Sequence, residues 1–257
     1  MVANESPIAG TMQRMNWIYL SPHLDDAIYS CGGLIWEQTQ AGQKVDIWTV
    51  CAGDPPPGPL SPFAASLHAR WKTGTHAGHV RRAEDRRAAS CLGAGIRHLH
   101  LPDCIYRCHP DSGEALYPSE EAIFGEVNPV EAPILSWFST LLKNETPPET
   151  GVVCPLTLGG HVDHRLVRLA AEQAGCISRY YADYPYVAQV DADVARRLPT
   201  GWAVEVTPIS EKGLQAWADA MALYVSQMST FWANRTGMET ELRGHLQTFG
   251  GIRMWAR

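Results

Sequence analysis

Short apolar runs alternate with longer stretches of helical periodicity along most of this sequence. The apolar runs are typical of buried strands and lie at residues 17–20, 45–51, 96–101, 151–154, 179–183, 203–206 and 252–255. The helical stretches lie at residues 26–41, 80–92, 133–143, 161–174, 211–225 and 238–247. Because strand and helix patterns follow one another in turn, the sequence predicts an α/β fold with a mostly parallel sheet and helices on both faces.

Two connections between these elements are much longer than ordinary loops. Residues 53–79 begin with a segment rich in Pro and Gly, and residues 102–130 show no clear periodicity. Loops of this size in compact domains often form lids or pocket walls, so we expect both to form part of a ligand pocket. Since no internal repeat and no linker divides the chain, residues 1–257 are predicted to form a single domain, with residues 1–15 flexible.

Composition places the chain among ordinary globular proteins. Of its 257 residues, 45% are apolar, and a net charge of -6 without a Lys/Arg block argues against a nucleic-acid partner. The first residues lack the basic and apolar regions of a secretory signal, and no apolar run is long enough to cross a bilayer. We therefore expect a cytoplasmic protein with no membrane partner. Its seven cysteines are expected to be reduced, and association into a homo-oligomer stays open.

Two polar clusters follow strand-like runs and open helical stretches. In the first cluster, His23 and Asp26 are three residues apart across the turn, so both can reach one point, and Asp25 lies beside them. The second cluster follows the fourth run and consists of Gly159, Gly160, His161, Asp163 and His164. Because parallel sheets bind ligands at the carboxyl ends of their strands, both clusters stand where a functional site is expected.

The residue types of the two clusters favour a metal site. Two imidazoles and one carboxylate with open positions are typical of catalytic zinc, so His23, Asp26 and His164 are predicted to hold the ion. Bound zinc lowers the pKa of its water to about 7, and a neighbouring carboxylate can then remove a proton. Asp25 is predicted to be that base.

The remaining polar residues of the second cluster suit a supporting catalytic role. His161 is predicted to stabilise the oxyanion or to protonate the leaving amine, with Asp163 orienting it or keeping it protonated. The structural alternative is that the acidic residues only cap a helix and that His161 lies on the surface. A cap explains Asp25 or Asp26, but not both of them together with His23.

The two clusters resemble motifs of the LmbE/PIG-L family of metal-dependent N-acetylglucosaminyl deacetylases. The first family motif, roughly [AS]-H-P-D-D-E, stands here as SPHLDDA at residues 21–27, and H-x-D-H stands as HVDH at residues 161–164. The resemblance continues in RRAED at residues 81–85 and in LPD at residues 101–103. It therefore covers residues 17 to about 175.

The resemblance implies a Rossmann-like three-layer sandwich and a Zn2+ cofactor, with Fe2+ or another divalent metal as alternatives. It implies the same metal ligands and the same base as the spacing does, and it adds Arg81 and Asp103 as substrate-binding residues. Some family members place a tyrosine two residues before H-x-D-H as an oxyanion donor. Here that position is Gly159, and Tyr106 and Tyr184 are the candidates to replace it.

The main functional prediction is a zinc-dependent N-deacetylase in which metal-bound water, activated by Asp25, removes an acyl group from a small amino sugar or glycoside. One alternative is an amidase acting on a thiol conjugate or a natural-product glycoside. The ligand set also suits non-haem Fe(II), although the strand and helix order disfavours the usual oxygenase barrel. A metal-free nucleotide-binding module is the alternative from a different class, weakened because no G-x-G-x-x-G follows the first strand.

Overall fold

The computed structural model describes residues 15–71, 76–189 and 201–257. The flexible segment expected over residues 1–15 lies, apart from Met15, outside these residues. The strands are β1 (Asn16–Ser21), β2 (Val45–Thr49), β3 (Gly95–His98), β4 (Thr150–Pro155), β5 (Ile177–Tyr181), β6 (Ala203–Thr207) and β7 (Ile252–Ala256). The described helices are α1 (Asp26–Gln40), α2 (Pro62–Trp71), α3 (Ala77–Cys91), α4 (Glu120–Ile123), α5 (Ala132–Glu145), α6 (Val162–Ala174), α7 (Tyr186–Gln189), α8 (Glu211–Met221), α9 (Val225–Phe231) and α10 (Arg235–Phe249), with 3-10 helices at Cys104–Tyr106 and Pro129–Glu131.

The strands form one sheet in the order β3-β2-β1-β4-β5-β7-β6. Strands β1 to β5 pair in parallel, whereas β7 is antiparallel to both of its neighbours. From β1 the chain moves outwards to β2 and β3 and then returns to β4 on the other side of β1. Such a reversal leaves a crevice at the carboxyl ends of the two central strands, where α/β proteins bind ligands. The predicted α/β fold with a mostly parallel sheet is confirmed.

The centre of the sheet is also the centre of the core. Tyr19 and Leu20 of β1 and Val152 and Val153 of β4 are completely buried. A strand in the middle of a parallel sheet is covered on both faces, which explains why these runs are apolar without alternation. The central strands therefore form a rigid base below the loops that follow them.

Helix α1 packs closely against α8 on one face of the sheet. A Cβ atom added at Gly32 would stand 2.3 Å from Cδ1 of Trp217, so only glycine admits this ring. The Trp217 indole N–H donates a hydrogen bond to the Ile28 carbonyl (2.7 Å). The close approach fixes α1, and with it the residues at its first turn.

The long stretch 53–79 contains a helix that the sequence pattern did not predict. Helix α2 begins at Pro62, a residue favoured in the first turn because it has no backbone N–H to satisfy. The Ser61 hydroxyl accepts a hydrogen bond from the Ala64 backbone N–H (3.1 Å) and so caps the helix. The Ser-Pro pair was thus a start signal within a stretch that was predicted to be irregular.

The single helix predicted over residues 211–225 is two helices, α8 and α9. The chain turns between Met221 and Val225, and the hydroxyl of Tyr224 in that turn donates to buried Asp85 (2.5 Å). The prediction was wrong because periodicity continues across the turn, whereas the break is set by a contact distant in sequence.

Within the described residues, no helix combines the length and apolar character required to cross a bilayer. All seven cysteines are free. Cys104 is buried and Cys108 is exposed, so the two thiols nearest in sequence stand in different environments.

Candidate active site

The turn after β1 is closed by its own side chains. The Ser21 hydroxyl accepts a hydrogen bond from the Ala27 backbone N–H (3.0 Å) and donates one to the His23 carbonyl (2.6 Å). The carboxylate of Asp26, the first residue of α1, accepts from the His23 backbone N–H (2.8 Å). These bonds hold His23 and Asp26 together at the point where the strand order reverses.

The three predicted metal ligands converge on one point. Oδ2 of Asp26 lies 3.1 Å from Nδ1 of His23 and 3.2 Å from Nε2 of His164, which stands in the first turn of α6. His161 is also close, since it, His23 and His164 offer ring nitrogens that lie within 4.8 Å of one another. Two neighbouring strand ends therefore bring nitrogen and carboxylate donors within reach of one divalent ion, and this donor set suits a catalytic metal site.

A buried carboxylate stands behind each of the two predicted histidine ligands. Nε2 of His23 is 3.0 Å from Oδ2 of Asp163, and Nδ1 of His164 is 2.6 Å from Oδ1 of Asp183. When a carboxylate accepts the proton of one ring nitrogen, the other nitrogen keeps its lone pair for a metal. The two carboxylates therefore direct opposite ring atoms, Nδ1 of His23 and Nε2 of His164, toward Asp26.

Asp163 makes contacts that differ from the one predicted for it. Its carboxylate contacts Arg107 (2.6 Å), the backbone N–H of Cys104 (2.9 Å) and His23, whereas the sequence placed it behind the ring of His161. Burial raises the pKa of Asp163, but the Arg107 guanidinium and His23 outweigh burial and hold it well below its usual range. Asp163 is thus an anion that connects His23 to the stretch 102–130.

Arg107 belongs to a buried network that the sequence analysis missed. Its Nε lies 2.5 Å from a Glu131 oxygen, and the other Glu131 oxygen accepts a hydrogen bond from the Tyr117 hydroxyl (2.5 Å). Arg107, Glu131 and Tyr117 are all buried. Nothing in the irregular stretch around Arg107 indicates burial, because a charged residue in a polar loop is normally exposed.

His161 is oriented by the backbone. It caps α6, and its Nδ1 accepts a hydrogen bond from the Asp163 backbone N–H (3.2 Å), which places the ring proton on Nε2. That Nε2 lies 4.0 Å from the Cys104 sulfur. Burial and the nearby charge of His23 lower the pKa of His161 well below its ordinary value. The side chain is therefore a neutral hydrogen-bond donor.

Asp25 and Arg81 form a buried pair beside the ligands. Nη2 of Arg81 lies 3.6 Å from Oδ2 of Asp25, and Arg81 reaches this position from α3. Burial raises the pKa of Asp25 to about 7, against the opposing effect of the guanidinium. Nε of Arg81 is buried and makes no hydrogen bond among the described residues, and the guanidinium lies 4.9 Å from the centre of the Trp71 ring.

Asp26 and the two histidines His23 and His164 stabilise each other's charged forms. Burial lowers the pKa of His164, but Asp26 and Asp183 raise it to about 10. Burial likewise opposes the charge of His23, yet Asp103, Asp163 and Asp26 raise its pKa well above the ordinary value. Burial raises the pKa of Asp26, and the two histidines lower it well below the ordinary value. Several carboxylates surround the two imidazoles, and their negative charge favours the binding of a cation.

These residues open into a cavity of about 310 Å³, within the size range of small-ligand sites. Its polar cluster consists of His23, Asp25, Asp26, Arg81, Asp103 and His161. Its apolar lining consists of Phe63, Leu67, Trp71, Ile105, Ile123, Phe124 and Phe231. The two long stretches, 53–79 and 102–130, contribute most of this apolar lining. Oδ2 of Asp103, predicted to bind substrate, lies 3.8 Å from Nε2 of His23.

Tyr106 and Tyr184 are the candidates to replace the oxyanion-donating tyrosine that is absent at Gly159. Both have other hydrogen-bond partners. The Tyr106 hydroxyl lies 2.5 Å from Nε2 of His68, and the Tyr184 hydroxyl donates to Glu241 (3.2 Å). Neither hydroxyl is free to bind substrate in this arrangement.

Comparisons of this chain with known proteins find deacetylases by sequence and by structure. A family model described as PIG-L, GlcNAc-PI de-N-acetylase, matches residues 18–175. The chain is 31% identical over 194 residues to the 2'-N-acetylparomamine deacetylase of Streptomyces fradiae, an alignment that covers 73% of this chain but only 63% of that enzyme. It is 30% identical to the A40926 pseudoaglycone deacetylase structure, with a TM-score of 0.73 and coverage of 95% and 96% of the two chains. It is 25% identical to the zinc-inhibited form of teicoplanin deacetylase, with a TM-score of 0.75 and coverage of 94% and 97%.

Proposed function

This chain belongs to the PIG-L family of de-N-acetylases, and on that premise we propose that it hydrolyses the N-acetyl group of an amino sugar or glycoside with the aid of a divalent metal. The observation that carries the proposal is the convergence of His23, Asp26 and His164 on one point beside a cavity. Amide hydrolysis needs an activated water and a stabilised tetrahedral intermediate, and the residues around this point suit both requirements.

We propose that His23, Asp26 and His164 hold the metal, with Zn2+ as the ion that two nitrogen donors and one carboxylate fit best. When bound, the ion supplies a Lewis acid that acidifies water and polarises the acyl carbonyl. Asp163 and Asp183 keep the two imidazoles in the tautomers that face the site. His161 stays outside this ligand set, because its Nδ1 already accepts a backbone hydrogen bond.

Asp25 is the proposed base. It removes a proton from the attacking water as the water oxygen forms its bond to the acyl carbon. The neutral His161 donates a hydrogen bond through Nε2–H to the acyl oxygen of the intermediate. Asp25 gives the proton that it took from water to the nitrogen that leaves, and the C–N bond breaks to give a free amine and acetate. Arg81 stays beside Asp25, where its positive charge favours the ionised base.

The cavity supports a substrate that combines polar and apolar parts. Arg81 and Asp103 offer a donor and an acceptor for sugar hydroxyls, and Trp71 offers a flat apolar surface of the kind on which sugar rings pack. The relatives include deacetylases of 2'-N-acetylparomamine and of the A40926 pseudoaglycone, both glycosides of natural products. We therefore propose an N-acetylated glycoside as the substrate class. The thiol-conjugate amidase and the metal-free nucleotide-binding module are not favoured.

The experiment is an amine-release assay on protein stripped of metal and then titrated with one equivalent of Zn2+, Fe2+ or Mn2+. The substrates are N-acetylglucosamine, 2'-N-acetylparomamine and an N-acetylated glycopeptide pseudoaglycone. We expect equal amounts of amine and acetate from at least one glycoside, dependent on metal and abolished by chelator. Stoichiometric loading is needed because a relative is known in a zinc-inhibited form.

The control is His164→Ala, which is expected to lose both the metal and activity. A wild-type protein that binds metal but releases no acetate from any of these glycosides contradicts the proposed function. Wild-type metal content in the variant contradicts the ligand set.

A further inference from the structure

Three tyrosines line the cavity, and their hydroxyl groups differ in what they contact. The Tyr184 hydroxyl donates to Glu241 (3.2 Å). The Tyr29 hydroxyl makes no hydrogen bond to any described residue, and it is buried away from solvent. The Tyr186 hydroxyl has no hydrogen-bond partner within residues 15–71, 76–189 and 201–257, and it is not sealed off. Tyr186 therefore offers the one phenol of the three that can donate to a molecule in the cavity.

Gly159 makes room for the Tyr186 ring. A Cβ atom added at Gly159 would stand 2.9 Å from Cγ of Tyr186, closer than real Cβ contacts allow. The ring stands at the loop between β4 and α6, the loop that also carries His161. Its centre lies 6.3 Å from the centre of the His164 ring, nearly perpendicular to it. The phenol thus stands next to the proposed metal ligands and the proposed donor.

The short segment from Asp183 to Val187 positions Tyr186 and also orients His164. Asp183 accepts the proton of His164 Nδ1 with its carboxylate, and its carbonyl accepts a hydrogen bond from the Val187 backbone N–H (2.8 Å). The residues between Asp183 and Val187 therefore form a closed turn. Tyr186 lies in this turn, so its position is tied to the groups that hold the metal.

The surroundings keep the phenol protonated. Burial raises the pKa of Tyr186, and the nearby carboxylates of Asp26 and Asp25 raise it further. A protonated phenol is a hydrogen-bond donor that loses no proton during the reaction. The aromatic neighbours Phe124 and Phe231 pack at ring distances of 6.3 and 6.1 Å and limit the rotation of the ring.

We propose that Tyr186 is a further catalytic residue, whose hydroxyl donates a hydrogen bond to the acyl oxygen as that oxygen becomes negatively charged. The inference rests on the proposed function. The water oxygen forms a bond to the acyl carbon, the carbonyl π electrons move onto the acyl oxygen, and the Tyr186 O–H donates a hydrogen bond to that oxygen. When the C–N bond breaks, the electrons return to the carbonyl, the nitrogen takes the proton that Asp25 removed from the water, and Tyr186 is unchanged. Donors aimed at developing charge contribute more to the transition state than to substrate binding.

The test compares Tyr186→Phe with the wild type, both loaded with one metal equivalent, on the best glycoside from the amine-release assay. We expect kcat to fall about a hundredfold with KM within about threefold, as found when one oxyanion donor is removed. Binding of the methylphosphonamidate of glucosamine, a tetrahedral anionic probe, should weaken by a similar factor while metal content and Tm stay unchanged. Tyr180→Phe, which removes a hydroxyl bonded to Glu172 outside the cavity, is the matched control.

A double-mutant cycle gives an independent measurement. Gly159→Ala should displace the Tyr186 ring and lower kcat by itself, yet add little to Tyr186→Phe, because the hydroxyl that it displaces is already absent. An active wild type with unchanged kcat and probe binding in Tyr186→Phe overturns the role of Tyr186 alone. An inactive wild type overturns the proposed function first, so the two failures are distinguishable.

Discussion

The polar cluster and the apolar lining of the cavity are built in different ways. Four residues of the polar cluster, His23, Asp25, Asp26 and His161, follow the central strands β1 and β4, and charged contacts hold them, such as that of His23 with Asp163. The apolar lining belongs to helices and loops that are far apart in the sequence, such as α2 and α9. The difference indicates that the sheet positions most of the reacting groups, whereas substrate choice depends on helices and loops outside the sheet. One of these, the stretch 102–130, is attached to the reacting groups through Arg107 and Asp163.

The largest effect is expected when the base is removed from the polar cluster. In Asp25→Asn the side chain keeps its shape but cannot accept a proton, so turnover should fall by about 10²- to 10⁴-fold. Metal content should stay at one equivalent, because the ligands are other residues. Asp46→Asn, at a partly exposed residue paired with Lys44, is the control. Retention of more than a tenth of wild-type turnover contradicts the base assignment.

A second test asks how firmly the stretch 102–130 is attached to the polar cluster. Arg107→Met leaves Glu131 and Asp163 without their cation, and an uncompensated buried charge costs about 3–5 kcal/mol of the free energy of unfolding. Urea unfolding measures this loss. Arg243→Met removes an exposed pair with Glu211 and should cause no measurable change. Equal stability of both variants shows that the stretch is not held by this network.

The third test concerns Asp183, the carboxylate behind His164. Asp183→Asn cannot hold the imidazole in one tautomer as strongly, and metal affinity should fall by about 10- to 100-fold. Competition with a chelator of known affinity measures the dissociation constant. Asp219→Asn, which changes an exposed carboxylate paired with Arg235, serves as the control. An unchanged dissociation constant for Asp183→Asn means that His164 needs no carboxylate behind it.

The smallest effect is expected in the apolar lining. Trp71→Ala removes the ring beside the Arg81 guanidinium, so KM should rise about tenfold while kcat stays within about threefold. Steady-state kinetics on the best glycoside separate the two constants. Trp137→Ala changes an exposed tryptophan on α5 and should alter neither. A fall in kcat larger than the rise in KM shows that the lining takes part in chemistry as well.

The same difference explains what the sequence predicted and what it did not. His23, Asp26 and His164 were predicted together because strand ends are recognisable from apolar runs and the sheet then brings them close. Arg107 was not assigned a role, because the contacts that bury it, with Glu131 and Asp163, join segments that are separate in the chain. Contacts between remote segments leave no periodic pattern in the sequence.

Helix α2 shows a second reason why the sequence did not predict every element. Its capping signal, Ser61 before Pro62, is present in the sequence but lies in a segment rich in Pro and Gly, where such pairs are common and rarely begin a helix. Asp163 shows a third reason: the sequence predicts that its carboxylate supports His161, its neighbour along the chain. The start of α6 turns the Asp163 carboxylate toward Arg107 instead.

The position of β7 has a consequence for how the protein is made. Strand β7 comes last in sequence among the described strands, yet it lies inside the sheet between β5 and β6 rather than at an edge. A nascent chain can therefore assemble β1 to β5 while it is still being synthesised, but the outer edge of β5 stays open until residues 252–256 leave the ribosome. An uncovered strand edge invites pairing with other chains. The emergence of β7 is thus also the step that protects this edge of the newly made molecule from aggregation.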